Sequence, residues 1–479
     1  MLVQLLVALL ITALIGYATW RKVKSAPASH DGSGKDVFLA GGGLTWLYVA
    51  GSITLTNLST EQLVGMNGNQ MLLLAWWELA GFIGLLILAF VFVPIYYKHQ
   101  CTTVTELLGR RYQGGSVRIV VGAIFFFGAV LIYIPAALYS GSLFLKSMLG
   151  FEGSLLVFAI PMAVIAALYT ILGGLRAVAV MDTFSGIGVL AVALLVVVLA
   201  LNAIGWDFSG IPPERLTMVG STSSPIPFHT LFTGMLFIQI FYWSTNQIIT
   251  QKAMTAPTVR EAQKGVLAAA VVRIMIVPLI VVVPGVVAYK LFGDLGDATY
   301  GRIVAHVLPG WLSGAFAAMM AAAVIAHTAA ILNGAVALYA LDFHDRYVAP
   351  VKNHWRLSAF VSTVIMVVGI AIVPVFAKTQ SIINLLQQLN GLASMPILSA
   401  FIVGLLFKGV RGDAASIAIG FGVVFYALLL TYPPTFIPSW FHYIDAMVVT
   451  LVACIAVALL VNKLLGGETE RAEADKTFS

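Results

Sequence analysis

The chain of 479 residues is short of charge: Asp, Glu, Lys and Arg make up only 10% of it. Soluble domains carry roughly 25%, so an ordinary water-exposed globule is excluded. Cysteine is scarcer still. Cys101 and Cys454 are too few and too far apart in sequence for a disulfide scaffold or a cysteine-rich metal centre. No HExxH motif occurs, the histidines are scattered, and GGGLTW at 41–46 has no strand–helix context for a dinucleotide loop. An enzyme is therefore not expected, and neither is a cofactor. The apolar/polar alternation of a membrane barrel is also missing.

What is abundant is apolar sequence, at 60% of residues and a mean hydropathy of +0.98. Apolar runs recur along the whole length at about the 20 residues that a helix needs to cross a bilayer. The reading is an all-α polytopic membrane protein with about thirteen spans. Residues 1–20 lack a basic start and are followed by RKVK, which predicts an uncleaved signal-anchor helix. Residues 303–341 are long for one span and predict a short lead-in helix. The stretch 465–479 reads as a tail.

Basic residues set the orientation. Lys98, Arg110, Arg111, Lys252, Arg260, Lys408 and Arg411, with many others, fall on the side of RKVK. Only Lys146, Arg215, Lys290, Arg302 and Lys378 fall on the other. This places the N-terminus outside and the C-terminus in the cytoplasm of a plasma membrane, the inner membrane of a bacterium. The formal charge of +6 belongs to inner loops, and nucleic acid is not an expected partner. The bilayer and a small-molecule substrate are, and the protein is expected to work as a monomer.

Two spans carry polar interruptions, TNLSTEQLVGMNG at 56–68 and YWSTNQIITQ at 242–251. STEQLV (59–64) and STNQII (244–249) match in pattern. Each interruption lies in the first span of a five-helix half, 43–203 and 228–407, with two peripheral helices following at 413–464. Paired broken helices are what an inverted-repeat transporter predicts, because unwound backbone at membrane depth must line a site or contact protein. Polar helix–helix contacts are the plainer explanation.

FLAGGGLTW…TNLSTEQLVGM, GGLRAVAVMDTFSGIG (173–188), FYWSTNQIITQKAMTAPTVREAQKG (241–265) and LLQQLNGLASMPIL (385–398) resemble the sodium:solute symporter family over about residues 38–464. The resemblance implies a leucine-transporter-like five-plus-five inverted repeat, with one helix before the core and two after it. It also implies symport by alternating access. The ionisable residues at membrane depth are Glu61, Glu78, Asp182, Arg273 and His327, a costly and usually functional class. Asn57, Gln62, Gln239, Tyr242, Gln247, Gln387 and Asn390 add hydrogen-bonding capacity. The sugar-carrying relatives imply substrate contacts at Gln62, Glu78, Gln239, Arg273 and Gln387, with Asn57 beside them and Tyr242 as an inner gate. Arginine and glutamine stand at 273 and 239 where those relatives have lysine and asparagine. Amide, carboxylate and cation together suit a sugar or sugar derivative. Arg273 also suits a carboxylated solute, and an ion pair with Glu78 is a third reading of it.

For the coupling ion, the resemblance implies carbonyls at Leu55, Leu58 and Ala323, the aspartate Asp182, and a pair of hydroxyls at Ala326 and His327. Those two residues have no side-chain oxygen. His327 is read as standing in for the ion, since an imidazole exchanges its proton near neutral pH; the driver would then be a proton in place of sodium. A histidine that simply ties two helices together, or an uncoupled or weakly sodium-coupled carrier, also fits. A membrane sensor of solute is the non-transport alternative. A channel is disfavoured, because polar residues cluster at mid-depth in a few helices.

Overall fold

The computed structural model describes Val7, Leu10, Tyr17 and residues 45–471, apart from 57, 102–103, 113–115, 345–347, 349–353, 433–436, 439 and 468–469. For 55–56, 172–184, 248, 341–342, 354–355 and 470–471 it describes the backbone alone. Asn57 and most of the expected anchor at 1–20 thus lie outside the described residues, as do the side chains of Leu55 and Asp182.

The described membrane spans are helical, as a bilayer demands of a backbone that must satisfy its own polar groups. Besides short connecting helices at Val104–Tyr112 and Pro213–Leu216, the helices in chain order are α1 (Trp46–Thr56), α2 (Thr60–Gly68), α3 (Leu72–Lys98), α4 (Ser116–Leu149), α5 (Leu156–Ile171), α6 (Gly174–Ala203), α7 (Gly234–Ile240) and α8 (Gln247–Ala253). There follow α9 (Val259–Met275), α10 (Val277–Phe292), α11 (Thr299–Val307), α12 (Gly310–Leu338), α13 (His354–Phe376), α14 (Ile382–Leu406), α15 (Gly412–Thr431) and α16 (Tyr443–Leu464). Among the described residues, 9 stretches are long and apolar enough to cross a membrane, α9 and α10 counting together as one. The shorter α5 and the broken pairs α1/α2 and α7/α8 fall on three further expected spans. The long 303–341 run divides at Leu308 and Pro309 into the lead-in α11 and the buried α12.

Both polar interruptions are real breaks. In the first, Ser59 is extended (φ −79°, ψ 159°) and its Oγ accepts from the Gln62 amide, capping α2. In the second, a π-helical turn over Phe241–Thr245 leads to Asn246, also extended (φ −81°, ψ 127°), before α8 begins. The STEQLV and STNQII segments therefore place their breaks two residues apart in register. The broken helices run in opposite directions. α1 starts where the Trp46 amide donates to Glu261 at the head of α9, 3.4 Å away, and α8 ends where Tyr97 Oη donates to Ala253 O, 3.2 Å away. At the other face α2 ends against Asp297, while α7 starts against Ile444 of α16.

The basic residues divide between these faces. Lys252 donates to Ser52 O (3.3 Å), Arg111 to Phe407 O (2.7 Å) and Arg411 to Leu465 O (3.1 Å), all at the face where α1 begins. A two-residue strand, Phe407–Lys408, pairs there with Glu470–Arg471. Arg215 and Lys290 lie at the opposite face, paired to Asp294 and Asp207.

α2 is held by backbone-level packing. Pro284 inside α10 has no N–H to give Ile280 O, and Asn67 Nδ2 of α2 donates there at 3.2 Å. The same amide donates to Leu63 O at 2.8 Å, and Asn67 Oδ1 accepts from the Gly285 amide at 2.7 Å. A Cβ on Gly65 would come within 2.9 Å of Ile382 and Ile383, and one on Gly68 within 2.7 Å of Asp297 Oδ1. Any larger residue would push α2 off α14.

Candidate solute and coupling site

A cavity of about 140 Å³ lies between the two breaks. Since a water needs roughly 10–15 Å³ on this measure, the space holds on the order of ten water-sized groups. Its lining comes from both halves: Ser59, Glu61, Gln62 and Met66 of the first broken helix, Trp77 and Glu78 of α3, and Tyr133 and Ala136 of α4. Ile238, Gln239, Tyr242 and Trp243 come from the second broken helix, Arg273 from α9, His327 from α12, and Ile383, Leu386, Gln387 and Asn390 from α14.

Of the residues expected to hold solute, Gln62, Glu78, Gln239, Tyr242, Arg273 and Gln387 all reach this one cavity. They do not have equal freedom there. Glu78 is 2% exposed, and its two oxygens accept from Gln62 Nε2 and from the Arg273 guanidinium. Arg273 is 1% exposed and lies over the Trp243 ring, 4.4 Å from its centroid. Of the readings the sequence left open for Arg273, the ion pair with Glu78 is the one seen. Gln239 is also engaged: its Nε2 donates to Trp77 O (2.7 Å), and its Oε1 accepts from Trp243 Nε1 (3.0 Å). Close approach of helices fixes this group. A Cβ on Gly84 would meet Gln239 O at 2.4 Å, and one on Gly81 would meet Trp243 Nε1 at 2.7 Å. Gln247, by contrast, accepts from the Val104 amide at the basic face (2.7 Å).

On the α14 wall, Tyr133 Oη donates to Asn390 Oδ1 (2.7 Å) and Asn390 Nδ2 donates to Gln387 Oε1 (3.2 Å). Tyr133 ends a π-helical turn, Ala129–Tyr133, that immediately precedes the Ile134–Pro135 start of regular helix. Sequence reading missed Tyr133, Trp77, Trp243 and Ser59. For Tyr133 the available signal was the proline two residues on, since π turns gather at such interruptions and at functional sites.

The coupling positions divide in the same way. Leu58 and Ala326 are buried, at 6% and 1% exposure, and Ala323 lies on α12 one turn before His327. A hard cation such as sodium seeks oxygen ligands, by the reasoning that holds for calcium and magnesium. Ala326 supplies none, and His327 supplies nitrogen. The His327 Nε2 lies 3.6 Å from Glu61 Oε1, with side-chain exposures of 24% and 9%. Glu61 Oε2 is buried and has no hydrogen-bond partner among the described residues. Glu61 sits in the first turn of α2, where the helix amides favour a carboxylate. The carboxylate that the described residues bring to His327 is thus Glu61. Among the described residues no group of three or more His, Cys, Asp or Glu is placed to hold a metal ion.

The sequence profile of the Sodium:solute symporter family matches residues 37–420. An uncharacterized symporter, YidK, of Escherichia coli (strain K12) is 32% identical over 476 residues, covering 94% of this chain and 82% of that protein. The sodium/glucose cotransporter of Vibrio parahaemolyticus is 27% identical over 483 residues, covering 93% of this chain and 87% of its own. A solved structure of a Na+-coupled sialic acid symporter, substrate-bound and outward-open, superposes with a TM-score of 0.77 over 96% of this chain and 98% of that one. At 15% identity that likeness speaks for the fold alone.

Proposed function

The chain belongs to the sodium:solute symporter family and is a multi-pass membrane protein with the family's inverted-repeat fold; from that premise we propose that it carries a sugar or sugar derivative by proton-coupled symport. The observation that carries the coupling is the His327–Glu61 pair inside the cavity, at a position where the family's hydroxyl ligands are replaced. A protonated imidazole beside Glu61 puts a positive charge where the relatives place a sodium ion. A neutral one leaves a carboxylate uncompensated in a largely apolar setting, which favours the conformation that hydrates it. Differential proton affinity between two conformations is what coupling requires.

The solute class is supported by the lining. Carboxylate, amide and phenol groups on two walls accept and donate, as a polyol's hydroxyls do, and Tyr242 supplies an aromatic ring to the lining. The similarity to the sodium/glucose cotransporter of Vibrio parahaemolyticus points the same way. The basic face is read as cytoplasmic, in a plasma membrane, with the N-terminus outside.

The test is uptake of labelled hexoses and myo-inositol into proteoliposomes. An inward proton gradient without sodium is expected to drive accumulation, and counterflow to persist without any gradient. Accumulation that requires sodium and ignores the proton gradient overturns the coupling.

A further inference from the structure

The two basic side chains of the cavity wall are not placed as a solute anion needs. Arg273 is the one permanent cation among the described lining residues, and its guanidinium is closed on Glu78 on one side and seated on Trp243 on the other. It is 1% exposed, and its Nη2 is spent on Glu78 Oε2, so little of the fork faces the cavity. His327, the second basic group, lies beside Glu61. The described lining therefore holds two carboxylates, one guanidinium and one imidazole. Counted with both carboxylates ionised, that set has no net positive formal charge even with the imidazole protonated.

The arrangement also has a mechanical side. Trp77 O holds Gln239, Gln239 holds the Trp243 indole, the indole face carries Arg273, and Arg273 with Gln62 grips Glu78. That chain joins α3, both broken helices and α9 through the guanidinium. It orients the Glu78 carboxylate, whose remaining lone pairs can accept only from donors. A solute carboxylate offers none, whereas a hydroxyl does. A lysine, as a point charge, could not hold Glu78 and lie flat on Trp243 in the same way.

We propose that Arg273 is a positioning residue which, by closing on Glu78, makes the site accept uncharged polyols and reject their carboxylated counterparts. This rests on the sugar-carrier reading above and settles which sugars.

The experiment compares D-galactose with D-galacturonate, a matched pair in which a hydroxymethyl becomes a carboxylate. Purified full-length protein in nanodiscs is titrated with each, following intrinsic tryptophan fluorescence, and counterflow of each is measured in proteoliposomes. Wild type is expected to bind and exchange galactose at least tenfold better than galacturonate. Glu78→Gln frees the guanidinium and is expected to weaken galactose and strengthen galacturonate, each about tenfold. The double variant Glu78→Gln/Arg273→Gln is expected to lose that gain. Wild-type preference for galacturonate overturns the proposal but leaves a sugar carrier standing. The same holds if the single and double variants bind galacturonate alike. No binding or counterflow of either sugar by wild type overturns both readings, and the wild-type comparison stands even where a variant fails to fold.

Discussion

Two carboxylate–base pairs face one cavity, and they are built for opposite purposes. Glu78 and Arg273 are buried almost completely, their contact is a direct charge-assisted hydrogen bond, and a tryptophan face holds the cation from behind. Glu61 and His327 stand 3.6 Å apart, the histidine is a quarter exposed, and one carboxylate oxygen is left without a partner among the described residues. A guanidinium keeps its proton in proteins, whereas imidazole is the side-chain type used for proton exchange. A fixed pair shapes a binding surface, whereas a loose, titratable one can change state during a cycle. A third carboxylate, Asp297, extends the series. It is 7% exposed, accepts from the Ile382 amide at 2.8 Å, and is bonded by no basic side chain among the described residues.

The comparison can be broken most violently at its fixed pair. Arg273→Ala strands a buried carboxylate, a loss of about 3–5 kcal/mol. The expected outcome is a collapse in folded yield and a large fall in melting temperature on fluorescence-detected gel filtration. A normal melting temperature would show that Glu78 finds other support. His327→Ala should spare the fold, because at 3.6 Å its contact with Glu61 is longer than a hydrogen bond. It should abolish proton-driven accumulation while leaving counterflow intact, and retained accumulation would assign the coupling elsewhere.

Asp297 gives an effect of intermediate size. Burial raises its carboxyl from the usual range to about 7, against the favourable Ile382 amide and Tyr139. The seated form of α2 on α14 thus binds a proton that an opened, hydrated form releases near pH 4. Seating is strongest below about pH 4 and loses this contribution as pH rises through about 7. Maleimide labelling of a Ser381→Cys reporter should therefore quicken several-fold from pH 5 to pH 8, beyond the thiol's own reactivity change. Adding Asp297→Asn should remove that excess. Tyr133→Phe is expected to do least. One hydrogen bond to Asn390 is lost, worth about 1 kcal/mol, which would appear as a several-fold rise in KM with little change in melting temperature. An unchanged KM would remove the α14 wall from solute binding.

Much of this could be read from the chain because bilayers make polar residues conspicuous. Glu78, Arg273 and His327 stand out in apolar surroundings, and the STEQLV and STNQII segments mark both breaks. Their two-residue difference in register was not legible: Ser59 caps a helix by itself, whereas the second break follows a π turn, and no residue type announces that turn. The Glu61–His327 pairing was hidden for another reason. It depends on how α2 crosses α12, and partners that distant in sequence carry no spacing rule. The family resemblance points to Gln239 as a solute contact; it does reach the cavity, but its bonds to Trp77 and Trp243, set by the close approach of Gly84, could not be read from the chain. Asn57 and the Asp182 side chain lie beyond what the structure describes.

The glycines of α2 have a consequence for how that helix moves. Gly65 and Gly68 lie almost bone to bone on Ile382, Ile383 and Asp297, and Gly285 does the same against Asn67. Contact that close leaves no room for a side chain between α2 and its neighbours at these positions. On the proposed alternating-access cycle, a helix seated this closely is expected to lift away as one piece rather than by degrees.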